Sequence, residues 1–472
     1  MSDKVEGRWS EIFGPRYLAA TVILCLGVSL FAFNAFLAAT ALPSAVTELD
    51  GVEVISWATT LYLVFAIMGG SAAAMLKQRL GSRWALLISA GFFMAGTLLA
   101  AHGNSMSEVL VGRSVQGLGE GVVAALCFAL IPELFPNRLV PKVFGMQAVV
   151  WAAAAFGGPA LAGALTEFVS WRAAFLINVP LVIVFCIMVA IVVPQRREGT
   201  AASFPGIRLM AIGGGILLVA LAAVTAPIEA VLLLAGAVVL LVGAVLLDRR
   251  SGAPLLPDGA FWPGSAFGGG FWMVLLMPIG GATTAVYLVL LLQEMWGFGA
   301  TLASATGALM AVAWSFSAVL VANVKRRATR KILIRSGPAL QAAGLLGVLA
   351  ALYWTQPVLL VVAQLTIGSG FGISNGYLNL TLLESADAEN RNRTATLLPT
   401  TQSAGNAVGA ALAGLAANAA GLATATTPGD LRNAIVPLFL LGIGAALLAF
   451  IAAQRMLAQV PDTAPEANFA TE

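Results

Sequence analysis

Three polar residues inside a long apolar run have types and a spacing that suit proton chemistry. Arg113, Gln116 and Glu120 occupy positions i, i+3 and i+7, so they share one face of a helix. Glu120 falls near the middle of the run 107–132, where a carboxylate can load a proton from one side of a barrier and release it on the other. Arg113 is too far along the helix for a direct bridge, but it can bias this charge or bind an anion. The alternative is a set of polar anchors that only fixes helix packing.

The composition places these residues in a membrane. Of the 472 residues, 59% are apolar without counting glycine and 10% are charged, whereas about 25% of a soluble domain is charged. Such a chain could not cover a soluble surface, which excludes a cytosolic enzyme, a secreted domain and a disordered chain. The single histidine and three scattered cysteines provide neither a metal centre nor a disulfide framework. We therefore expect no cofactor, no metal, no nucleic-acid partner and no enzymatic activity.

Fourteen apolar segments are long enough to cross a bilayer, which takes about 20 residues each. They are residues 17–42, 55–76, 84–102, 107–132, 142–166, 173–193, 207–226, 228–247, 262–293, 299–323, 333–353, 356–383, 395–420 and 434–457. The sequence thus predicts an all-α membrane protein with 14 transmembrane helices. The segment after Gln459 is polar, and we expect it to be a loose tail.

The basic residues predict the orientation of these helices. With the N-terminus in the cytoplasm, all but three of the 25 Lys and Arg residues fall on the cytoplasmic side. The exceptions are Arg172 and Arg432 outside and Arg113 within the membrane. This asymmetry predicts that both termini are cytoplasmic and that the protein resides in a plasma membrane, specifically a bacterial inner membrane.

Two basic loops indicate an internal repeat. The loop 77–83 follows the second span, and the loop 325–331 follows the tenth, eight spans later. We expect two parallel six-helix bundles with two helices inserted between them. The predicted divisions are an N-terminal bundle in 1–194, the inserted helices with their linkers in 195–260, and a C-terminal bundle with its tail in 261–472.

Four motifs in the N-terminal half resemble those of a known family. They are Trp57-Ala-Thr-Thr-Leu-Tyr62-Leu, Arg113-Ser-Val-Gln116-Gly117-Leu-Gly119, Gly158-Pro159-Ala-Leu-Ala-Gly163 and Trp171-Arg172-Ala-Ala-Phe175-Leu-Ile-Asn178-Val-Pro180. Together they are similar to the major facilitator superfamily, and within it to the fourteen-helix drug:proton antiporters. The resemblance covers residues 17–457. It implies a monomeric alternating-access transporter that exports small hydrophobic or amphipathic compounds in exchange for protons, with lipids around it.

Two departures from the family pattern affect the predicted coupling. Asn34 stands where the first helix of the family carries an acid, and Gln78 replaces the acid of the loop after the second helix. Glu120 with Arg113 is the most plausible replacement for the lost carboxylate. The departures keep two alternatives open: a transporter of a specific metabolite or lipid with altered or absent proton coupling, and a lipid-handling or sensor-like membrane protein.

The remaining candidates are assigned by depth and by resemblance. Side chains at middle depth that could line a central cavity and bind substrate are Asn34, Gln116, Trp151, Trp272, Tyr287, Trp314, Asn375 and Asn379. Residues predicted to act in gating are Gly158 and Pro159 as a bending point, and Arg79, Gly81 and Arg83 in the first basic loop. Gly117, Gly119 and Gly121 are expected to leave space around the Glu120 carboxylate. For any one aromatic residue, ordinary packing or lipid contact is the simpler interpretation.

Overall fold

The protein is all-α. A computed structural model describes residues 8–136, 139–195, 206–251, 256–262, 264–321, 324, 326–386 and 388–459. The linker 196–205 and the predicted tail after Gln459 lie outside these residues. Every regular element in the described part is helical, which confirms the predicted all-α class. The helices are α1 (Trp9–Ile12), α2 (Leu18–Glu48), α3 (Ile55–Leu80), α4 (Ser82–His102), α5 (Met106–Leu134), α6 (Val140–Phe168), α7 (Trp171–Leu176), α8 (Asn178–Val192), α9 (Gly206–Ala222), α10 (Pro227–Arg249), α11 (Ala266–Trp296), α12 (Ala300–Val321), α13 (Arg327–Trp354), α14 (Pro357–Ser385), α15 (Ala388–Ala419) and α16 (Pro428–Gln459).

All fourteen predicted spans fall on helices, but they are not equally apolar. Twelve segments of the described chain are long and apolar enough to cross a membrane. The predicted spans 207–226 and 395–420 correspond to α9, which has 17 residues, and to α15, which is more polar along its length. The structure therefore supports twelve membrane-crossing helices by length and composition.

The helices run between two ends of the bundle, a distal end and a proximal end. The distal end is where α2 ends and α3 begins, between Glu48 and Ile55. The proximal end is where α3 ends and α4 begins, around Gly81. Gly81 has a φ of 81°, a conformation that strains residues with a side chain, and it allows α4 to start directly after α3.

The same helix pairings occur in both halves. In the first half α5 packs on α3 and α4, and α2 packs on α6. In the second half α14 packs on α12 and α13, and α11 packs on α15. The halves also contact each other, through α6 with α12 and α3 with α15.

Glycines make the closest of these pairings possible. A Cβ on Gly117 of α5 would lie 2.2 Å from the carbonyl oxygen of Tyr62, and a Cβ on Gly368 of α14 would lie 2.0 Å from that of Met310. Gly121 approaches α3 and Gly372 approaches α12 in the same way; Gly119 contacts α4, as Gly370 contacts α13. The expectation that the glycines of α5 leave space around Glu120 is therefore wrong. They let neighbouring backbones touch, because no side chain separates the helices.

The apolar core is shared between the halves only toward the distal end. One buried cluster there includes Leu37 and Leu42 of α2, Leu290 of α11, and Ala410 and Ala417 of α15. Toward the proximal end two separate clusters form, one around Phe93 in the first half and one around Phe271 in the second. Among the described residues, no apolar cluster joins the halves at the proximal end. The apolar core that the halves share in the described residues therefore lies toward the distal end.

Helices α9 and α10 form a hairpin that lies along the seam between α3 and α15. Its apolar side buries Ile216 and Val219 against Val64 of α3 and Ala407 of α15. At its proximal end Arg208 and Asp248 form a largely buried ion pair. Asp248 also accepts a hydrogen bond from the backbone N–H of Leu256 at 2.8 Å.

Polar contacts fix the distal end of the hairpin to both halves. The indole N–H of Trp57 in α3 donates to the carbonyl of Ala220 at 3.0 Å. The side-chain amide of Asn418 in α15 donates to the carbonyls of Ala223 at 3.1 Å and Glu53 at 2.8 Å. The hairpin therefore covers the α3–α15 seam and contacts both helices that form it.

Two glycines of α14 provide a matched test of this packing. Gly368→Ala should lower the thermal stability of the detergent-purified protein by the equivalent of about 1–3 kcal/mol, because the new methyl group overlaps the Met310 carbonyl. Gly376→Ala should leave stability unchanged or raise it, since a Cβ at Gly376 meets nothing within 4 Å. Equal melting temperatures for the two variants would show that α14 does not depend on this close approach.

Candidate functional site

The Glu120 carboxylate lies in a polar cluster buried within the first half. It accepts a hydrogen bond from the side-chain amide of Asn34 in α2 at 2.9 Å and another from the hydroxyl of Tyr62 in α3. Glu120 is 1% exposed and Asn34 is fully buried. A carboxylate removed from water in this way needs such partners. Without them, burial of the charge would cost roughly several kcal/mol in lost hydration.

Gln116 extends the cluster to a fourth helix. Its amide nitrogen donates to the side-chain oxygen of Asn34 at 3.0 Å and to the hydroxyl of Thr97 in α4 at 2.9 Å. Its amide oxygen accepts a hydrogen bond from the guanidinium of Arg113. Gln116 thus connects the residue that binds the carboxylate to the only cation of the cluster.

Arg113 reaches Glu120 only through intermediates. The two side chains form no ion pair in the described structure, as their separation of seven residues predicts. The Arg113 guanidinium lies 4.0 Å from the centroid of the Tyr62 ring, and its Nε donates to the Ala58 carbonyl at 3.3 Å. Tyr62 therefore contacts the cation with its ring and the carboxylate with its hydroxyl, so it couples the two charges sterically and electrostatically.

A proton on Glu120 would rearrange these hydrogen bonds. An ionised carboxylate only accepts, and it can receive both the Tyr62 hydroxyl and the Asn34 amide at once. A protonated carboxyl has a hydroxyl that needs an acceptor, and donation to the adjacent Tyr62 oxygen would reverse that contact. The protonation state of Glu120 is thereby tied to the packing of α2 and α3 against α5.

Sequence reasoning found four of the six side chains in this cluster. Asn34, Arg113, Gln116 and Glu120 were predicted, and the structure brings them together. Tyr62 was noticed only as part of the second-span motif, although a tyrosine within an apolar span is itself a signal of a polar partner. Thr97 gave no such signal, because a threonine that donates to the carbonyl four residues earlier, as it does to Phe93, needs no other partner.

The predicted aromatic candidates lie elsewhere. Trp151 of α6 packs edge-on against Phe31, with ring centroids 5.3 Å apart. Trp314 of α12 lies 6.0 Å from Phe371 of α14 and is 37% exposed. Tyr287 is buried in the distal core shared by both halves.

Three further candidates stand apart from the cluster as well. Trp272 lies near the proximal start of α11, not at middle depth, and its indole N–H donates to the Phe261 carbonyl at 3.1 Å. Asn375 and Asn379 are half-buried and lie one turn apart on α14. The structure assembles none of these three with the Glu120 cluster.

The position equivalent to Glu120 in the second half is apolar. Gly121 and Gly372 make matching contacts on α3 and α12, and the residues just before them are Glu120 and Phe371. By the same correspondence, Met310 takes the place of Tyr62. One half thus presents an ionisable cluster and the other presents an apolar, partly aromatic surface around Trp314.

The predicted gating residues have structural roles that the geometry makes clear. A Cβ on Gly158 would lie 2.9 Å from the Cβ of Phe36, so this glycine lets α6 pack closely on α2. Pro159 follows inside α6 and removes one backbone hydrogen bond from the helix. The two together place a weak point in α6 beside its closest contact.

The first basic loop is fixed to neighbouring helices at the proximal end. The Nε of Arg83 donates to the carbonyl of Val193 at 2.8 Å, at the end of α8. Lys77 forms an ion pair with Glu133 near the end of α5. Arg79 is exposed, and Gly81 provides the turn described above.

The Trp171–Arg172 motif serves the distal end. Arg172 pairs with Glu48 at 2.6 Å and donates to the Gly103 carbonyl at 3.2 Å. The indole N–H of Trp171 also donates to Glu48, at 2.8 Å. The motif therefore connects α7 to the ends of α2 and α4, which is a structural role within the first half.

Two threonines provide a test of the cluster. Thr97→Val should lower stability by about 1–2 kcal/mol, because the Gln116 amide loses an acceptor in a buried site. Thr60→Val is the control on the neighbouring helix α3, since the buried Thr60 hydroxyl has no partner in the described structure. Thermal unfolding in detergent measures both variants, and a Thr60→Val variant that is the less stable of the two would contradict the predicted role of Thr97.

Comparison with solved structures shows the fold. The chain superposes on a peptide transporter in complex with alafosfalin with a TM-score of 0.67 and 14% identity, covering 92% of this chain and 93% of the other. It superposes on a D-xylose–proton symporter with a TM-score of 0.63 and 16% identity, covering 94% and 98%. Both are membrane transporters built of helices.

Sequence comparison agrees with this fold. The chain is 28% identical over 430 residues to a probable multidrug-efflux transporter of Mycobacterium tuberculosis, which covers 88% of this chain and 90% of the relative. It is 28% identical over 200 residues to a multidrug transporter of Bacillus subtilis, covering 42% and 37%. The profile of the Major Facilitator Superfamily matches residues 24–410. The predicted family is thus confirmed, and the chain belongs to the Major Facilitator Superfamily as a transporter rather than an enzyme.

Proposed function

We propose that this transporter exports small hydrophobic or amphipathic compounds in exchange for protons, by alternating access of one central site. The observation that carries the proposal is the buried Glu120 carboxylate, which accepts hydrogen bonds from Tyr62 and Asn34. The chain also belongs to a family of transporters. The names of the relatives, which are multidrug-efflux transporters, support the substrate class. The protein acts as a monomer in the plasma membrane of a bacterium, surrounded by lipid.

Glu120 is the proton carrier in this proposal. When Glu120 is ionised, its two hydrogen-bond donors pull α2 and α3 toward α5. When it is protonated, this set of contacts loses its charge and one of its donors, which weakens the hold between these helices. The Tyr62 side chain lies between the Arg113 guanidinium and the Glu120 carboxylate, so a movement of α3 affects both groups. Proton binding is thereby converted into a change in helix packing.

The substrate contacts belong to the second half. Trp314 and Phe371 form an apolar wall at the position equivalent to the ionisable cluster. Apolar compounds gain free energy from burial there without meeting an uncompensated charge. The half-buried amides of Asn375 and Asn379 on the same helix α14 add polar contacts for the amphipathic part of a substrate. Trp151 on α6, the helix that packs on α12, is a further candidate for contact with the substrate.

The positions of the apolar clusters favour one conformational state of the transport cycle. Among the described residues, the halves share an apolar core distally and have separate apolar clusters toward the proximal end. With both termini in the cytoplasm, as the basic residues predict, this is an inward-facing state. Gly158 and Pro159 then provide the flexible point in α6, and the loop with Arg79, Gly81 and Arg83 closes over the proximal side when the protein turns outward.

The proposal retains fourteen transmembrane helices. The hairpin α9–α10 lies between the two six-helix bundles in the chain, as the divisions 1–194, 195–260 and 261–472 require. α9 is buried on one side against α3 and α15, so it needs less lipid-facing apolar length than a helix at the periphery. α15 packs on α3, α9, α11 and α16, so a polar sequence is tolerated there.

The alternative of an anion transporter with altered coupling finds less support. Arg113 is 2% exposed, and its guanidinium is engaged by Gln116, Ala58 and the Tyr62 ring. A cation held in this way is not free to receive an anionic substrate. The role of Arg113 is therefore assigned to the proton site.

Glu120→Gln tests the coupling. In proteoliposomes with an imposed pH gradient, this variant should lose nearly all gradient-driven substrate flux, by at least about tenfold, while substrate binding persists. The amide keeps the size of the side chain but cannot exchange a proton. Glu108→Gln is the control on the same helix, because Glu108 is exposed at the distal end of α5. Unchanged pH dependence in Glu120→Gln would exclude Glu120 as the carrier.

Trp314→Ala tests the substrate wall. We expect weaker binding of a hydrophobic aromatic dye by about 1–3 kcal/mol, since a large stacking surface is removed. Trp354→Ala is the control, because Trp354 is 66% exposed at the distal end of α13. Fluorescence titration of purified protein measures both. Equal dye affinities in the two variants would place the substrate away from the Trp314–Phe371 surface.

A further inference from the structure

A cationic recess lies outside the proton and substrate sites, on the proximal end of the second half. It is formed where α13 begins and α16 ends, and it encloses about 270 Å³. The polar side chains that line it are Lys331 and Arg335 of α13 and Gln454 of α16. Ile332 and Leu457 provide apolar walls.

The charged side chains that line this recess are all positive. Lys331 and Arg335 are one turn apart on the same face of α13. A guanidinium nitrogen of Arg335 lies 3.5 Å from the side-chain oxygen of Gln454, and the next residue, Arg455, is exposed. α13 contains no acidic residue, and Asp430 at the distal end is the only acid of α16. The recess therefore attracts a negatively charged group.

A shallow apolar track leads away from the recess toward the middle of the bundle. On α13 the first exposed residues after Arg335 are the small Ala339 and Ala343, and Leu346 follows them at 56% exposure. On α16 the exposed residues before Arg455 include Ile451 at 47%, Leu448 at 55% and Leu447 at 50%. These positions recur at intervals of three and four residues, so they form continuous stripes on two packed helices. An acyl chain can lie over the small Ala339 and Ala343, in the groove that the larger Ile451 and Leu448 would flank.

We propose that this recess and track bind one molecule of an anionic phospholipid, with its phosphate at Lys331 and Arg335 and one acyl chain along Ala339 and Ala343. The recess lies at the end of the membrane-crossing helices, which is the depth of lipid headgroups. Its volume suits a phosphate with part of a glycerol. The continuity of a cationic head site with an apolar track distinguishes a lipid from a soluble anion. The proposal is independent of the transported substrate and of proton coupling.

A lipid-binding experiment on the purified full-length protein tests the head site. Delipidated protein in neutral detergent is titrated with phosphatidylglycerol, and bound lipid is counted by native mass spectrometry. The double variant Lys331→Gln/Arg335→Gln should bind about tenfold to thirtyfold more weakly than the parent, as removal of two cations near a lipid headgroup predicts. The control is Arg249→Gln/Arg250→Gln, which removes two exposed cations at the proximal end of α10. Equal losses in both double variants would overturn the proposal.

The track is tested separately from the charges. Ala339→Leu/Ala343→Leu fills the groove and leaves Lys331 and Arg335 in place, so it should weaken phosphatidylglycerol binding without abolishing retention of inorganic phosphate. Phosphatidylcholine should bind the parent at least about tenfold more weakly than phosphatidylglycerol. If phosphatidylcholine binds equally well, or if inorganic phosphate competes as strongly as the lipid, the site is not one for an anionic phospholipid. Melting curves of each variant without lipid verify that it is folded.

Discussion

The cost of keeping a carboxylate away from water organises the first half of this transporter. Glu120 is nearly inaccessible in the middle of α5, and its two hydrogen-bond donors come from two other helices. Because an unpartnered charge away from water costs on the order of several kcal/mol, these helices have to stay close whenever the carboxylate is ionised. The chemistry of one proton is thus linked directly to the packing of a bundle.

The close packing around Glu120 depends on residues without side chains. Gly117 and Gly121 let the backbone of α5 touch that of α3, and Gly368 and Gly372 do the same for α14 and α12. The matching contacts show that the two halves share one packing scheme. The side chains at equivalent positions of this scheme differ: Glu120 precedes Gly121 in one half, and Phe371 precedes Gly372 in the other. The same packing scheme therefore holds a buried ionisable cluster in one half and an apolar surface in the other.

The inserted hairpin makes the two seams between the halves unequal. It covers the seam of α3 with α15 and contacts both helices through Trp57 and Asn418. The seam of α6 with α12 has no such cover among the described helices, and Gly163 contacts Thr301 there directly. If the halves move relative to each other, α3 and α15 have to move against the hairpin, whereas α6 and α12 do not. This asymmetry follows from two helices that the internal repeat does not contain.

The sequence by itself determined the all-α class, the positions of the long helices and most of the polar cluster. It could do so because a charge within an apolar run is so costly that Arg113 and Glu120 stand out without any structure. The sequence could not show that Tyr62 joins these two charges, nor that the glycines beside Glu120 bring helices together instead of making room. Both depend on which faces meet across helices more than fifty residues apart in the chain, as in the contact of Tyr62 with Glu120. Periodicity identifies the face of a helix, but only tertiary packing decides what that face touches.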